Sequence, residues 1–192
     1  MSSTPSSAPE TPWWQRLVLN HRIPISAVFV LTALFFSHPS RLSILYGLPL
    51  IVLGQLLRIW ASGHIHKMAQ VTRTGPYALC RHPLYLGHAL ITLGFLVATG
   101  NPWLIPAGIA VFLLIFLPTM LREEFYLTQQ FGDEYRDYMQ GVPRFLPRWS
   151  RETAAGTFDW QLVSQHREWN NIYGLAGGIA LFVGLGLWLG TW

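Results

Sequence analysis

With one cysteine in 192 residues, Cys80, the chain can form no internal disulfide and no metal or redox centre built from several of its own thiols. That lone thiol reads as a small buried hydrophobe. Charge is scarce as well: Asp, Glu, Lys and Arg make up 11% of the chain against 51% hydrophobic residues, too little polar surface to coat a soluble globule. Internal repeats are absent, as are low-complexity runs beyond the N-terminal tail and any linker long enough to separate domains. The first twelve residues, rich in Ser, Pro and Thr, lack the apolar run of a secretion signal and predict a disordered, uncleaved tail.

What is present is apolar and comes in blocks. Five blocks, at about 23–37, 42–61, 84–100, 103–121 and 172–190, approach the ~20 residues that cross ~30 Å of hydrocarbon. The expectation is an all-α fold, an integral membrane helical bundle of about five transmembrane helices, as a single domain over 13–192. Trp13 and Trp14 suit the headgroup level. Sorted by these spans, twelve of the thirteen Lys and Arg fall on one side and Arg41 alone on the other, which puts that basic side in the cytoplasm. A net charge of +4 distributed in this way speaks for membrane lipids as neighbours and against nucleic acid. Twelve Arg against a single Lys is the bias of a GC-rich genome and favours a bacterial inner membrane, with the endoplasmic reticulum as the location in a eukaryote.

The short connection after 100 predicts that spans three and four form a tight antiparallel hairpin with both polar ends on the cytoplasmic side. Pro83 suits a first helical position and makes His82 the boundary residue, so span three presents free N–H groups beside Arg81, an anion-binding pole. Span four ends in Glu123 and Glu124, where the helix dipole is already negative and a cation is needed to offset them. Two such poles against lipid suit a zwitterionic ligand.

The stretch "GPYALCRHPLYLGH" from Gly75 to His88, followed by "EEFYLTQQFGDEYRDYMQGVPRFLP" from Glu123 to Pro147, resembles the isoprenylcysteine carboxyl methyltransferase and phospholipid methyltransferase superfamily. The shared pattern is G-x-Y-x-x-x-R-H-P-x-Y-x-G, then E-E, then F-G-x-E-Y-x-x-Y, then V-P and P. The resemblance covers 69–147 and implies an integral-membrane enzyme that moves a methyl group from S-adenosyl-L-methionine to a lipophilic or prenylated acceptor entering from the bilayer. It further implies cofactor contacts at Gln70, Val71, Thr72, Tyr77, His82, Pro83, Leu84 and Tyr85, with Glu123 and Glu124 closing the site and one of them on the methionine ammonium. Two features depart from the pattern: "GHIHKMAQ" before Gly75, and the extension after Pro147, which carries a fifth span.

Methyl transfer needs a nucleophile aligned on the methyl carbon and stripped of water. A carboxylate acceptor needs no base and would be held by an arginine, Arg81 or Arg122, through paired hydrogen bonds. For an amine acceptor, His88 or a glutamate could take the proton. Arg81 and Glu124 are therefore the expected catalytic residues, and Arg81, His88 and Arg122 the expected acceptor contacts. Arg81, Tyr85 and His88 share one face of the helix entrance, although a hydrogen bond to a neighbouring helix would also account for His88. No metal is expected, since His64 and His66 lack a clear third ligand. Leu121 to Gln140 predicts an amphipathic surface helix, stopped at Gly141 and Pro143, roofing the cofactor. Gly174, Gly178, Gly186 and Gly190 predict close helix packing, and His166, Arg167, Trp169, Asn170 and Asn171 either sit at the interface or border the acceptor's headgroup. Rival readings are an NADPH-dependent reductase, since sterol reductases look similar around R-H-P-x-Y, and a non-catalytic membrane binding protein.

Overall fold

Glycines set where the helices touch. A side chain at Gly54 would meet the carbonyl of Gly87 at 2.5 Å, one at Gly94 would meet Ile51 Cγ1 at 2.6 Å, and one at Gly47 would strike the carbonyl of Gly94. Two helices can approach backbone to backbone only where such small residues face each other. The computed structural model describes residues 12–65, 70–148 and 156–192. The expected tail, but for Pro12, and His66 lie outside them.

Among the described residues the chain forms helices and no strand: α1 (Trp13–Phe35), α2 (Arg41–Ser62), a 3-10 turn (Gly75–Ala78), α3 (Pro83–Ala98), α4 (Leu104–Phe131), α5 (Asp133–Gly141), α6 (Trp160–Gln165) and α7 (Glu168–Trp188). Four of them, α1, α2, α4 and α7, are long and apolar enough to cross a membrane, and α3 is a shorter apolar helix of 16 residues. By length and composition these helices suit a chain that crosses a membrane several times.

The most extensive packing joins α2 to α3, while α4 rests about equally on α1 and α3. The tight pairing expected of spans three and four therefore belongs to α2 and α3, because that is where the facing glycines are. The glycines of α7 do not serve this purpose. A side chain at Gly174 would meet nothing within 4 Å, nor would one at Gly190, past the end of the helix; one at Gly178 would meet the Phe95 ring of α3 at 2.9 Å, and one at Gly186 the Trp192 ring and, at 3.0 Å, the carbonyl of Pro39 before α2.

Helix boundaries also differ from the sequence reading. α1 begins at Trp13 and bends at His21, ahead of Pro24. α4 continues past 121 to Phe131, so the expected helix over 121–140 is broken at Gly132, whose φ of 56° ends α4 before α5 starts. At 28 residues α4 is about 42 Å long, more than the ~30 Å of a hydrocarbon core, and Glu123 and Glu124 fall in its last three turns.

After α5 the chain returns to the start of α3. Arg81 N–H donates to Pro143 O at 2.9 Å, His82 N–H to Arg144 O at 3.2 Å and Arg148 N–H to Leu79 O at 2.9 Å. This pairing brings the V-P-R-F-L-P segment alongside the R-H-P corner.

Candidate active site

His82 caps α3 with non-helical backbone and Pro83 follows at the first helical position, as the sequence requires. From that corner His82 Nε2 lies 3.1 Å from Glu124 Oε1, and Arg81 Nη2 lies 3.4 Å from the same oxygen. The two poles thus share one place. Their join is tighter than expected, because Arg144 donates from Nη2 to Glu124 Oε2 at 2.8 Å and from Nε to Oε1 at 3.0 Å.

Both oxygens of Glu124 are consequently occupied, and its side chain is buried behind the wall of the site. Glu123 lies about 100° around the helix, 43% exposed, with Oε2 3.9 Å from His82 Nδ1. Of the adjacent glutamates expected to close the site together, only Glu123 reaches open space. Glu124 lines neither of the cavities described next.

Two cavities meet at this corner. The first, about 560 Å³, is lined by Pro83, Leu84, Tyr85 and His88 of α3, Phe116 of α4, Gln55 and Arg58 of α2, and Asn170, Asn171 and Gly174 of α7. The second, about 490 Å³, is lined by Gln70, Val71, Thr72, Arg122, Tyr126, Tyr135 and Tyr138. Ile65, Tyr77, Arg81, His82 and Glu123 border both, and the last four, all from the motif, form the polar part of the partition. The expected cofactor contacts are therefore divided between the chambers, with Gln70 to Thr72 in one and Pro83 to Tyr85 in the other. The expected acceptor contacts divide as well. Arg81 and His88 line the first chamber, whereas Arg122 lines the second, exposed and bonded to the Tyr126 hydroxyl at 3.2 Å.

Local packing fixes the partition. Tyr138 Oη donates to Tyr77 O at 2.7 Å, and Arg73 lies over the Tyr138 ring and donates to the Glu134 carbonyl. Tyr77 Oη and Arg81 Nε are buried with no hydrogen-bond partner among the described residues, so each has capacity for a ligand. Burial, aided by the charge of Glu123, raises the Tyr77 phenol well above its ordinary value. Tyr135 and Tyr138 are raised chiefly by burial too, so all three remain protonated donors. The bonds to Glu124 raise Arg144 and secure its charge.

Residues that sequence reasoning passed over hold the first chamber open. Glu168 is fully buried at the start of α7 and accepts from Arg58 Nη2 at 2.7 Å, Ser62 Oγ at 3.0 Å, Asn171 Nδ2 at 3.0 Å and Gln55 Nε2 at 3.3 Å. The available signal was an acidic residue opening an apolar helix, together with Arg and Gln inside an apolar span. His88 packs its ring 4.9 Å from that of Phe116, and among the described residues aromatic contact stands in place of the alternative hydrogen bond to a neighbouring helix. His64 is bonded to the Trp60 carbonyl at 2.9 Å and packs against Phe158.

The model of the phospholipid methyltransferase family matches residues 42–134. The cobalt-zinc-cadmium resistance protein CzcN of Cupriavidus metallidurans is 31% identical over 77% of this chain and 73% of its own. The chain belongs to the phospholipid methyltransferase family. Protein-S-isoprenylcysteine O-methyltransferase B of Arabidopsis thaliana is 33% identical over 53% of this chain and 58% of its own, and the mouse protein-S-isoprenylcysteine O-methyltransferase is 32% identical over 53% and 40%. No solved structure matches. Membership makes this a membrane methyltransferase and implies a methyl donor. The phospholipid methyltransferase match spans α2 to the start of α5, which includes the whole partition. Arg144, α6 and α7 lie beyond it.

Proposed function

We propose that the protein uses S-adenosyl-L-methionine to methylate a lipophilic carboxylate that enters from the bilayer, a reaction most like isoprenylcysteine carboxyl O-methylation. The observation that carries this reading is the partition of Tyr77, Arg81, His82 and Glu123, four motif residues bordering two chambers of about 560 and 490 Å³. Each has the size of a small-molecule site. A donor in one and an acceptor in the other would meet across that wall.

The residues of the second chamber suit such a donor. Glu123 offers a half-exposed carboxylate for an ammonium, and Tyr126, Tyr135 and Tyr138 offer aromatic surface. When bound, the donor supplies an electrophilic methyl on a sulfonium. The chain supplies the rest. Arg81, with a buried unpartnered Nε, would hold the acceptor carboxylate and orient an oxygen toward the partition. Tyr77 would donate a hydrogen bond, while Tyr85 and Phe116, 5.6 Å apart, would keep water out of the first chamber. A carboxylate needs no base, which fits a chamber where nothing among the described residues hydrogen-bonds the His88 ring to orient it as one. Charge placement supports a cytoplasmic site in an inner membrane.

The test incubates purified full-length protein with methyl-labelled S-adenosylmethionine and either N-acetyl-S-farnesylcysteine or phosphatidylethanolamine vesicles. Label released as methanol by alkali is expected from the first. Alkali-stable label in the phospholipid would establish amine methylation instead, and NADPH oxidation without any methyl transfer would establish the reductase.

A further inference from the structure

The carboxylate of Glu168 dictates how the amides around it face. A carboxylate only accepts hydrogen bonds, so Gln55 and Asn171 must both turn their NH₂ groups toward it, at 3.3 and 3.0 Å, and their carbonyl oxygens away. Gln55 lines the first chamber and is 7% exposed, and its Oε1 has no hydrogen-bond partner among the described residues. A buried acceptor in that position is costly unless a ligand supplies a donor. Arg58 does not supply it: its guanidinium is directed at Glu168 through Nη2 and Nε at 2.7 and 3.2 Å, and no nitrogen of it bonds Gln55 Oε1.

The chamber is therefore polarised. Arg81 Nε and Tyr77 Oη offer donors on the partition, and Gln55 Oε1 offers an acceptor beside α7. Apolar surface from Ile91, Phe116 and Leu175 lies in the same cavity, and Gly174 opens room for a chain, since a side chain there would meet nothing within 4 Å.

We infer that the acceptor is a lipophilic carboxylate bearing a hydroxyl or N–H donor near the carboxylate, that Gln55 reads this donor, and that Glu168 is the positioning residue that aims Gln55. The inference rests on the acceptor assignment of the first chamber proposed above and adds α7, outside the family match, as the element that selects the substrate. Its ligand class is an N-acylated or hydroxylated lipid acid rather than a plain one.

Two compounds that differ only in the donor test it: N-acetyl-S-farnesylcysteine, with an amide N–H, and S-farnesyl-3-thiopropionate, without one. Calorimetric titration of the full-length protein in detergent should give about tenfold tighter binding of the first, the worth of one buried hydrogen bond. Gln55→Met, nearly isosteric and without the acceptor, should level the two. Gly174→Trp should weaken both alike and leave affinity for the demethylated cofactor, S-adenosylhomocysteine, unchanged. Equal affinities in the wild type, a preference that survives Gln55→Met, or no binding of either compound would overturn the inference, and the wild-type comparison decides even if Gln55→Met does not accumulate. A retained preference with no methyl transferred would sink only the proposed reaction and leave the recognition by Gln55 standing.

Discussion

Arg144 grips Glu124 with two nitrogens, Nη2 at 2.8 Å from Oε2 and Nε at 3.0 Å from Oε1, and so fastens the segment after α5 to the end of α4. Arg81 and His82 reach the same carboxylate from the α3 corner. One buried side chain is thus the meeting point of three separated pieces of sequence.

Arg144→Ala should lower stability by about 2 kcal/mol, the worth of charge-assisted hydrogen bonds discounted for an arginine that is 39% exposed. Arg144→Lys should recover only a fraction of it, because an ammonium cannot make the paired contact. Thermal unfolding in detergent reads both. An unchanged midpoint for the alanine variant would show that the pair carries no weight.

The two glutamates should separate by substitution. Glu123→Gln is expected to weaken binding of S-adenosylhomocysteine about tenfold with little loss of stability. Glu124→Gln should do the reverse, costing about 3 kcal/mol as Arg81 and Arg144 lose their counter-charge. Calorimetry beside thermal unfolding distinguishes them, and a binding loss confined to Glu124→Gln would move the ammonium contact there.

Cys80 is 1% exposed, and burial raises its thiol to about 11 from the ordinary 9.0. Iodoacetamide should therefore label the folded protein at pH 8 on the order of a hundredfold more slowly than an exposed thiol. Linkage carries the same sign. The folded state holds this proton more tightly, so the stability it contributes is complete below pH 9 and falls as the pH rises toward 11. Rapid labelling at pH 8 would contradict the burial.

Gly54→Leu should prevent accumulation of folded protein, because the new side chain would meet the backbone of α3 at Gly87. Gly184→Leu on α7, where a side chain would meet nothing within 4 Å, should leave the unfolding midpoint unchanged. Equal tolerance at both positions would refute the glycine-to-glycine contact of α2 and α3.

The sequence made the helical class, the apolar blocks and the convergence of the R-H-P corner with the E-E corner legible, because hydropathy and connection length constrain them directly. Which glutamate faces the ligand was not legible. Adjacent residues on a helix point different ways, and the choice depended on Arg144, whose place beside His82 follows from backbone pairing between distant segments. The glycines of the backbone-to-backbone contact on α2 were not picked out for a related reason. Spacing shows that small residues share a helix face, and only the partner helix decides whether that face meets backbone, as at Gly47 and Gly54, or open space, as at Gly174. The polar side chains of α2 could be seen in the sequence, but their common partner Glu168 lies 106 to 113 positions further on.

That separation bears on how the protein is made. Ribosomes deliver α2 long before α7, so Arg58, Gln55 and Ser62 enter the bilayer without the acid that will neutralise and saturate them. Until synthesis reaches residue 168 the nascent chain carries a guanidinium in an apolar helix without the carboxylate that engages it in the folded protein. Arrival of α7 supplies that carboxylate, so the polar side chains of α2 are saturated only once the two helices have met.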